Sequence, residues 1–184
     1  VHVGRIGAEV DNVRSALEWA RDERENDALP RLVAAVNRVW TNRGHYEELD
    51  KWLSLALERA ESPVGARMSV LRAATGRAMY SGDYARADEL IAEWRSLAEQ
   101  AGDENQVLTA LNSEALNAAE RGEVDHARAQ FNVIRDRARA AGDRDRLAAA
   151  TVNLGLVAMY SADWEAGLAY ATKGVDLFRE LGDD

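Results

Sequence analysis

Three histidines, five tryptophans and an almost lysine-free set of basic residues are what this 184-residue chain can offer chemistry. His2, His45 and His126 stand far apart, and no two histidines share a helical spacing. Neither His-Glu-x-x-His nor Gly-x-Ser-x-Gly occurs. His45 and His126 fall at or beside expected hairpin turns, where a histidine reads as a solvated turn residue. With no cysteine in the chain, disulfides and thiolate metal sites are excluded. The acidic pairs Glu47-Glu48 and Asp183-Asp184 suit the dipoles of helix ends. Arg135-Asp136-Arg137-Ala138-Arg139 reads as a solvated helix face. Trp40, Trp52, Trp94 and Trp164 are expected in the core, while Trp19 is expected to face an upstream domain. No catalytic constellation forms, so an enzyme, a cofactor and a bound metal are not expected.

Hydrophobic residues make up 47% of the chain and charged residues 30%, a balance that folds. Alanine, leucine, arginine and glutamate dominate and only two prolines occur, so the chain is expected to be all-α. A net charge of −9 argues against direct nucleic-acid contact, which needs a basic face. No apolar run approaches the ~20 residues of a membrane span, and a signal peptide is not expected. The cytoplasm is the expected location. The chain starts at Val1 without an initiator methionine and stops at Gly182-Asp183-Asp184, as a fragment of something longer would.

Apolar periodicity and turn residues together give nine helices. The first spans 9–23, with Val10, Val13, Leu17 and Ala20 on one face. The second carries Pro30 in its first turn and runs to about Arg43. The third covers 46–60 and the fourth 63–81, the latter started by Ser62 as cap and Pro63 as its first residue. The others cover 84–101, 104–121, 124–141, 143–161 and 164–181. Gly82 and Gly122 close hairpins, Asp83 is placed to cap, and Asp103 with Gln106 fits a capping box. Ala162 fills the slot of Gly44, Gly82 and Gly122. A left-handed alanine costs roughly 1–2 kcal/mol, so that turn is expected to differ locally. Short connections then stack the helices as antiparallel hairpins.

A fixed step runs through these elements. Ala78-Met-Tyr-Ser-Gly-Asp-Tyr84 returns 80 residues later as Ala158-Met-Tyr-Ser-Ala-Asp-Trp164, with a degraded copy at 118–124. Gly102-Asp103, Gly142-Asp143 and Gly182-Asp183 keep the same step of 40. Small residues recur seven before the turn (Thr75, Ala115, Gly155; Asn37 in the first copy) and five after it (Ala87, Ala127, Gly167; Leu49 first). Two residues after it stand Tyr46, Tyr84, Val124 and Trp164. This pattern resembles the tetratricopeptide repeat (TPR), although the step is 38 and then 40 and 40 where the family keeps 34. The resemblance implies a right-handed superhelical solenoid. Four repeats are expected at 27–62, 63–102, 103–142 and 143–184, behind an N-terminal helix in 1–26 that joins an upstream domain.

A second resemblance covers residues 8–60. Asp11-Asn-Val-Arg-Ser-Ala-Leu-Glu-Trp-Ala20, Trp40, Arg43-Gly-His45 and Trp52-Leu53 are similar to the join after the nucleotide-binding and winged-helix region of bacterial STAND-class regulators. That likeness implies a sensor or scaffold segment of an ATP-dependent transcriptional regulator. No P-loop lies in this chain itself. The rival readings are a stand-alone TPR adaptor and a helical accessory region of a cyclase or kinase.

In TPR arrays the first helix of each repeat lines a concave groove. Transferred to this chain, that frame implies Arg31, Arg38 and Thr41, then Ser69, Arg72 and Met79. Thr109, Asn112 and Leu116 follow, and then Val152, Leu156 and Met159. Asn42, Tyr80, Glu120 and Tyr160 edge the groove. Its front is basic and its back apolar, so a protein or peptide, or a small-molecule effector, is the expected partner, with arginine forks for carboxylates and adaptable methionines for apolar groups. The last helix carries Val175, Leu177, Phe178 and Leu181, and self-association through it is expected, since an array's terminal repeat normally presents a polar face.

Overall fold

The computed structural model describes residues 10–22, 27–59 and 63–182. Among them are nine helices and no strand: α1 (Val10–Asp22), α2 (Ala28–Arg43), α3 (Tyr46–Leu57), α4 (Val64–Tyr80), α5 (Tyr84–Ala101), α6 (Glu104–Glu120), α7 (Val124–Ala141), α8 (Arg144–Tyr160) and α9 (Trp164–Leu181). The chain divides into two compact units, Val1–Ala101 and Gly102–Asp184.

In the first unit Leu17, Leu29, Val33, Trp40, Leu49, Trp52 and Trp94 are buried. Polar clasps finish the helix ends. The Arg14 guanidinium donates to both carboxylate oxygens of Glu48 at 2.8 Å, fastening α1 to α3. That pairing holds the Glu48 carboxyl below its ordinary value and raises the arginine. Arg59 donates to the carbonyls of Ala20 and Arg21, and Arg67 to that of Leu57. Each thereby satisfies acceptors that a helix C-terminus leaves open.

In the second unit α8 is apolar on most sides. Ala148, Ala150, Thr151, Leu154, Gly155, Val157 and Ala158 are all buried, because α7 and α9 flank it. Gly155 lies at the α8–α9 crossing, where an added Cβ would stand 3.2 Å from the Gly167 carbonyl. Asp103, Asp143 and Asp163 cap α6, α8 and α9 through the backbone N–H groups of Gln106, Arg146 and Ala166.

The hairpin turns correct one expectation. Ala162 takes the left-handed conformation, φ 58°, beside φ 77° at Gly82 and 78° at Gly122. Its N–H reaches the Met159 carbonyl at 3.0 Å and Asp163 N–H reaches Ala158 at 2.9 Å, the same pair of bonds made by Gly82 and Asp83. Two backbone bonds and a capping aspartate therefore outweigh the strain of one methyl group. Pro63 occupies the cap position of α4 and not its first helical residue, while Ser62 lies outside the described residues. Trp164 is not in the core but 65% exposed, unlike the buried Trp40, Trp52 and Trp94. Trp19 is also exposed.

Candidate binding site

Repeated helices bring the expected groove residues to the surface in separate sets, one on each unit. On the first, Arg31 on α2 pairs with Asp27 at 3.3 Å, whereas Arg38 on α2 and Arg72 on α4 are exposed and make no ion pair with the described residues. Thr41 and Met79 are half-buried, and the Ser69 hydroxyl is spent on the Gly65 carbonyl at 2.9 Å. Arg72, Gly76 and Met79 follow at helical spacing on α4, and nothing stands within 4 Å of where a Gly76 side chain would begin. Arg72 therefore stands beside a bare stretch of α4 at Gly76.

One neighbouring cluster went unforeseen. The hydroxyls of Tyr46 and Tyr80 lie 3.0 Å apart, with ring centroids at 5.3 Å. Arg77 stacks its guanidinium over Tyr46 at 5.1 Å and donates to Asp50 at 2.9 Å. The hydrogen bond to Tyr80 raises the Tyr46 phenol above its ordinary value. Both tyrosines stand out in the sequence as turn and groove-edge residues, but their meeting depends on how α3 and α4 pack.

The second unit holds a cavity of about 430 Å³. Its apolar lining comes from Leu108, Ile134, Ala150 and Phe178, and its polar lining from Thr109, Asn112, Asp145 and Arg146. Three polar rungs join α6 to α8 along their length. Arg146 donates to Asn105 Oδ1, Asn153 to Asn112 Oδ1 at 3.1 Å, and the Tyr160 hydroxyl to Glu120 at 3.2 Å. The middle rung leaves the Asn112 amide N–H groups for a ligand. Thr109 gives its proton to the Asn105 carbonyl at 2.7 Å and so presents an acceptor oxygen. Arg146, held by Asp143 at 3.5 Å and by Asn105, supplies a positioned cation.

Thr109 and Asn112 both line this cavity. Val152, Leu156 and Met159 do not line it. Leu156 and Leu116 are half-buried. Val152 and Met159 are 38% and 49% exposed but lean on α9, their Cγ2 and Cγ atoms standing 2.4 and 3.0 Å from where side chains of Gly174 and Gly167 would begin. Ala149, missed in the sequence reading, also lines the cavity, and a step of 40 from Thr109 lands on it. Arg146 had no such signal, since its role rests on contact with Asn105.

His126 is a partnered residue, its Nε2 lying 3.1 Å from Glu114, whereas His45 stands at the start of α3 without capping it. Arg139 and the half-buried Arg135 both pair with Asp136. Among the described residues no group of three histidine, aspartate or glutamate side chains could hold a metal, and no helix is long and apolar enough to cross a membrane.

No protein-family model and no curated protein matches the sequence. Among solved structures, the chain is similar to that of BtubC (BKLC) from P. vanneervenii, with a TM-score of 0.55 and 12% identity over 100% of this chain and 94% of the other. The fold is all-α and repeat-like. At that identity the likeness speaks for fold alone.

Proposed function

We propose that the chain is a TPR-type binding segment, the sensor or scaffold of a larger bacterial ATP-dependent transcriptional regulator, and that it binds and does not catalyse. The observation that carries the binding half is the cavity of about 430 Å³ in the second unit, with Asn112, Thr109 and Arg146 around an apolar floor. A few convergent polar groups over apolar walls is the composition of small-ligand and side-chain sites. The exposed Arg38 and Arg72 supply a second contact region, suited to carboxylates. The regulator half rests on the likeness of residues 8–60 to the STAND join. In such a regulator an effector that binds one arrangement of the repeats better than another shifts the switch by that difference in affinity.

Two measurements test this reading. The reading frame upstream of Val1 should encode a P-loop followed by a winged helix; a start codon a few residues upstream would contradict the regulator. Calorimetric titration with a library of short acetylated peptides and small carboxylates should yield a binder. Asn112→Ala should then weaken it about 10-fold, the loss of one or two hydrogen bonds, with helical circular dichroism unchanged. A binder indifferent to Asn112→Ala, Arg146→Ala, Arg38→Ala and Arg72→Ala alike would overturn the site.

A further inference from the structure

The cavity of the second unit presents both signs of charge over an apolar floor. Arg146 supplies the cation. Its side chain is 22% exposed and is held by Asn105 Oδ1 and, loosely at 3.5 Å, by Asp143. Those contacts engage two of the five N–H donors of a guanidinium and leave the rest for a ligand. Asp143 is occupied elsewhere: its Oδ1 accepts the Arg146 backbone N–H at 2.9 Å, and the N-terminus of α8 offsets its charge. Asp145 supplies the anion. It lines the cavity, is exposed, and its carboxylate makes no hydrogen bond or ion pair with the described residues.

The neutral groups repeat this pairing of a donor with an acceptor. The Asn112 amide offers N–H, because its Oδ1 already accepts from Asn153 at 3.1 Å. Thr109 Oγ1 offers lone pairs, because its proton goes to the Asn105 carbonyl at 2.7 Å. Two donors suit a carboxylate and two acceptors suit an ammonium. Leu108, Ile134 and Phe178 add apolar wall but no further polar atom. A volume of about 430 Å³ is at the small end of ligand sites, the size for a single small molecule. A ligand that carries both charges on one short apolar body meets all of these groups together.

We propose, on the footing of the binding role given above to this cavity, that its ligand is a free α-amino acid with an apolar side chain. Arg146 and Asn112 take the carboxylate, and Asp145 and Thr109 take the ammonium. Calorimetric titration of the 184-residue chain tests it with three ligands of one shape. These are L-leucine, isocaproate, which lacks the ammonium, and isopentylamine, which lacks the carboxylate. Leucine should bind at about 10–100 µM, and each of the other two about 10-fold more weakly through the loss of one charge-assisted contact. Free glycine should also bind about 10-fold more weakly or worse, since it leaves the apolar wall uncovered. Asp145→Asn should weaken leucine about 10-fold without weakening isocaproate, and helical circular dichroism should not change because Asp145 is exposed. Isocaproate binding as tightly as leucine, and lost in Asn112→Ala, would overturn the amino acid and leave the cavity a carboxylate site. Isopentylamine binding as tightly, or leucine binding indifferent to Asp145→Asn, would overturn it as well. If neither leucine nor any member of the peptide and carboxylate library bound, the amino acid and the cavity's binding role would fall together.

Discussion

The hairpins α4–α5 and α8–α9 share a heptapeptide and one turn geometry, yet pack by opposite rules. Both close on a left-handed residue followed by an aspartate, and both aspartates cap the next helix. On α5 the packed face is Ala87, Leu90, Ile91, Trp94 and Ala98; on α9 only Gly167 and Gly174 are buried. At the position of Gly174 stand Trp94 and Ile134 in the two earlier copies, and at that of Val152 stand Arg72 and Asn112. Bulk has moved across the interface: the glycine of α9 receives the valine of α8. Local turn chemistry can therefore stay fixed while the apolar face of the following helix is redistributed.

Exchanging bulk at this crossing should give the largest effects. Trp94→Ala removes a fully buried indole and should cost about 3–5 kcal/mol in urea unfolding. Gly174→Ile restores the residue type of α7 but drives its Cβ into Val152, and should cost about 1–3 kcal/mol. Adding Val152→Ala should then recover much of that loss. Additive costs would mean that the two residues do not share one space.

The turns sharpen the shared side of the comparison. Gly82→Ala should destabilise by roughly 1–2 kcal/mol, whereas Ala162→Gly should stabilise by about 1 kcal/mol or less, since glycine also frees the unfolded chain. Thermal unfolding of the two variants measures the pair. Equal and unmoved melting temperatures would show that the left-handed turn carries no strain.

Charge gives the smallest effect, confined to the first unit. Arg14 holds the Glu48 carboxyl below its ordinary value of 4.5. A carboxyl depressed in the fold contributes stability above that value and loses it as pH falls below. Melting at pH 3 should therefore be lowered through this pair by roughly 1–2 °C after solvent screening. Glu48→Gln should remove that share of the pH dependence, and an unchanged profile would rule the clasp out as its source.

Where the controlling chemistry is local, the sequence reads well. Gly82, Gly122, Asp83 and Asp103 announce their turns and caps because each acts on backbone within a few residues. Ala162 misled because composition alone does not reveal how firmly the flanking bonds hold a strained residue. On α9 Leu177, Phe178 and Leu181 are half-buried, while Trp164, Leu168 and Val175 lie open. That exchange is visible only when Gly174 is compared with Trp94 and Val152 with Arg72 together. At the cavity, Thr109 and Asn112 follow from the repeat step, but Arg146 and Phe178 come from helix ends that only packing brings near.

The binding account stands most directly on a heteronuclear NMR titration of the 184-residue chain with the tightest peptide or carboxylate from the library. The account predicts shifts concentrated at Thr109, Asn112, Ala149 and Phe178, and lost in Asn112→Ala. Shifts confined to the exposed face of α9, or spread evenly over both units, would contradict it.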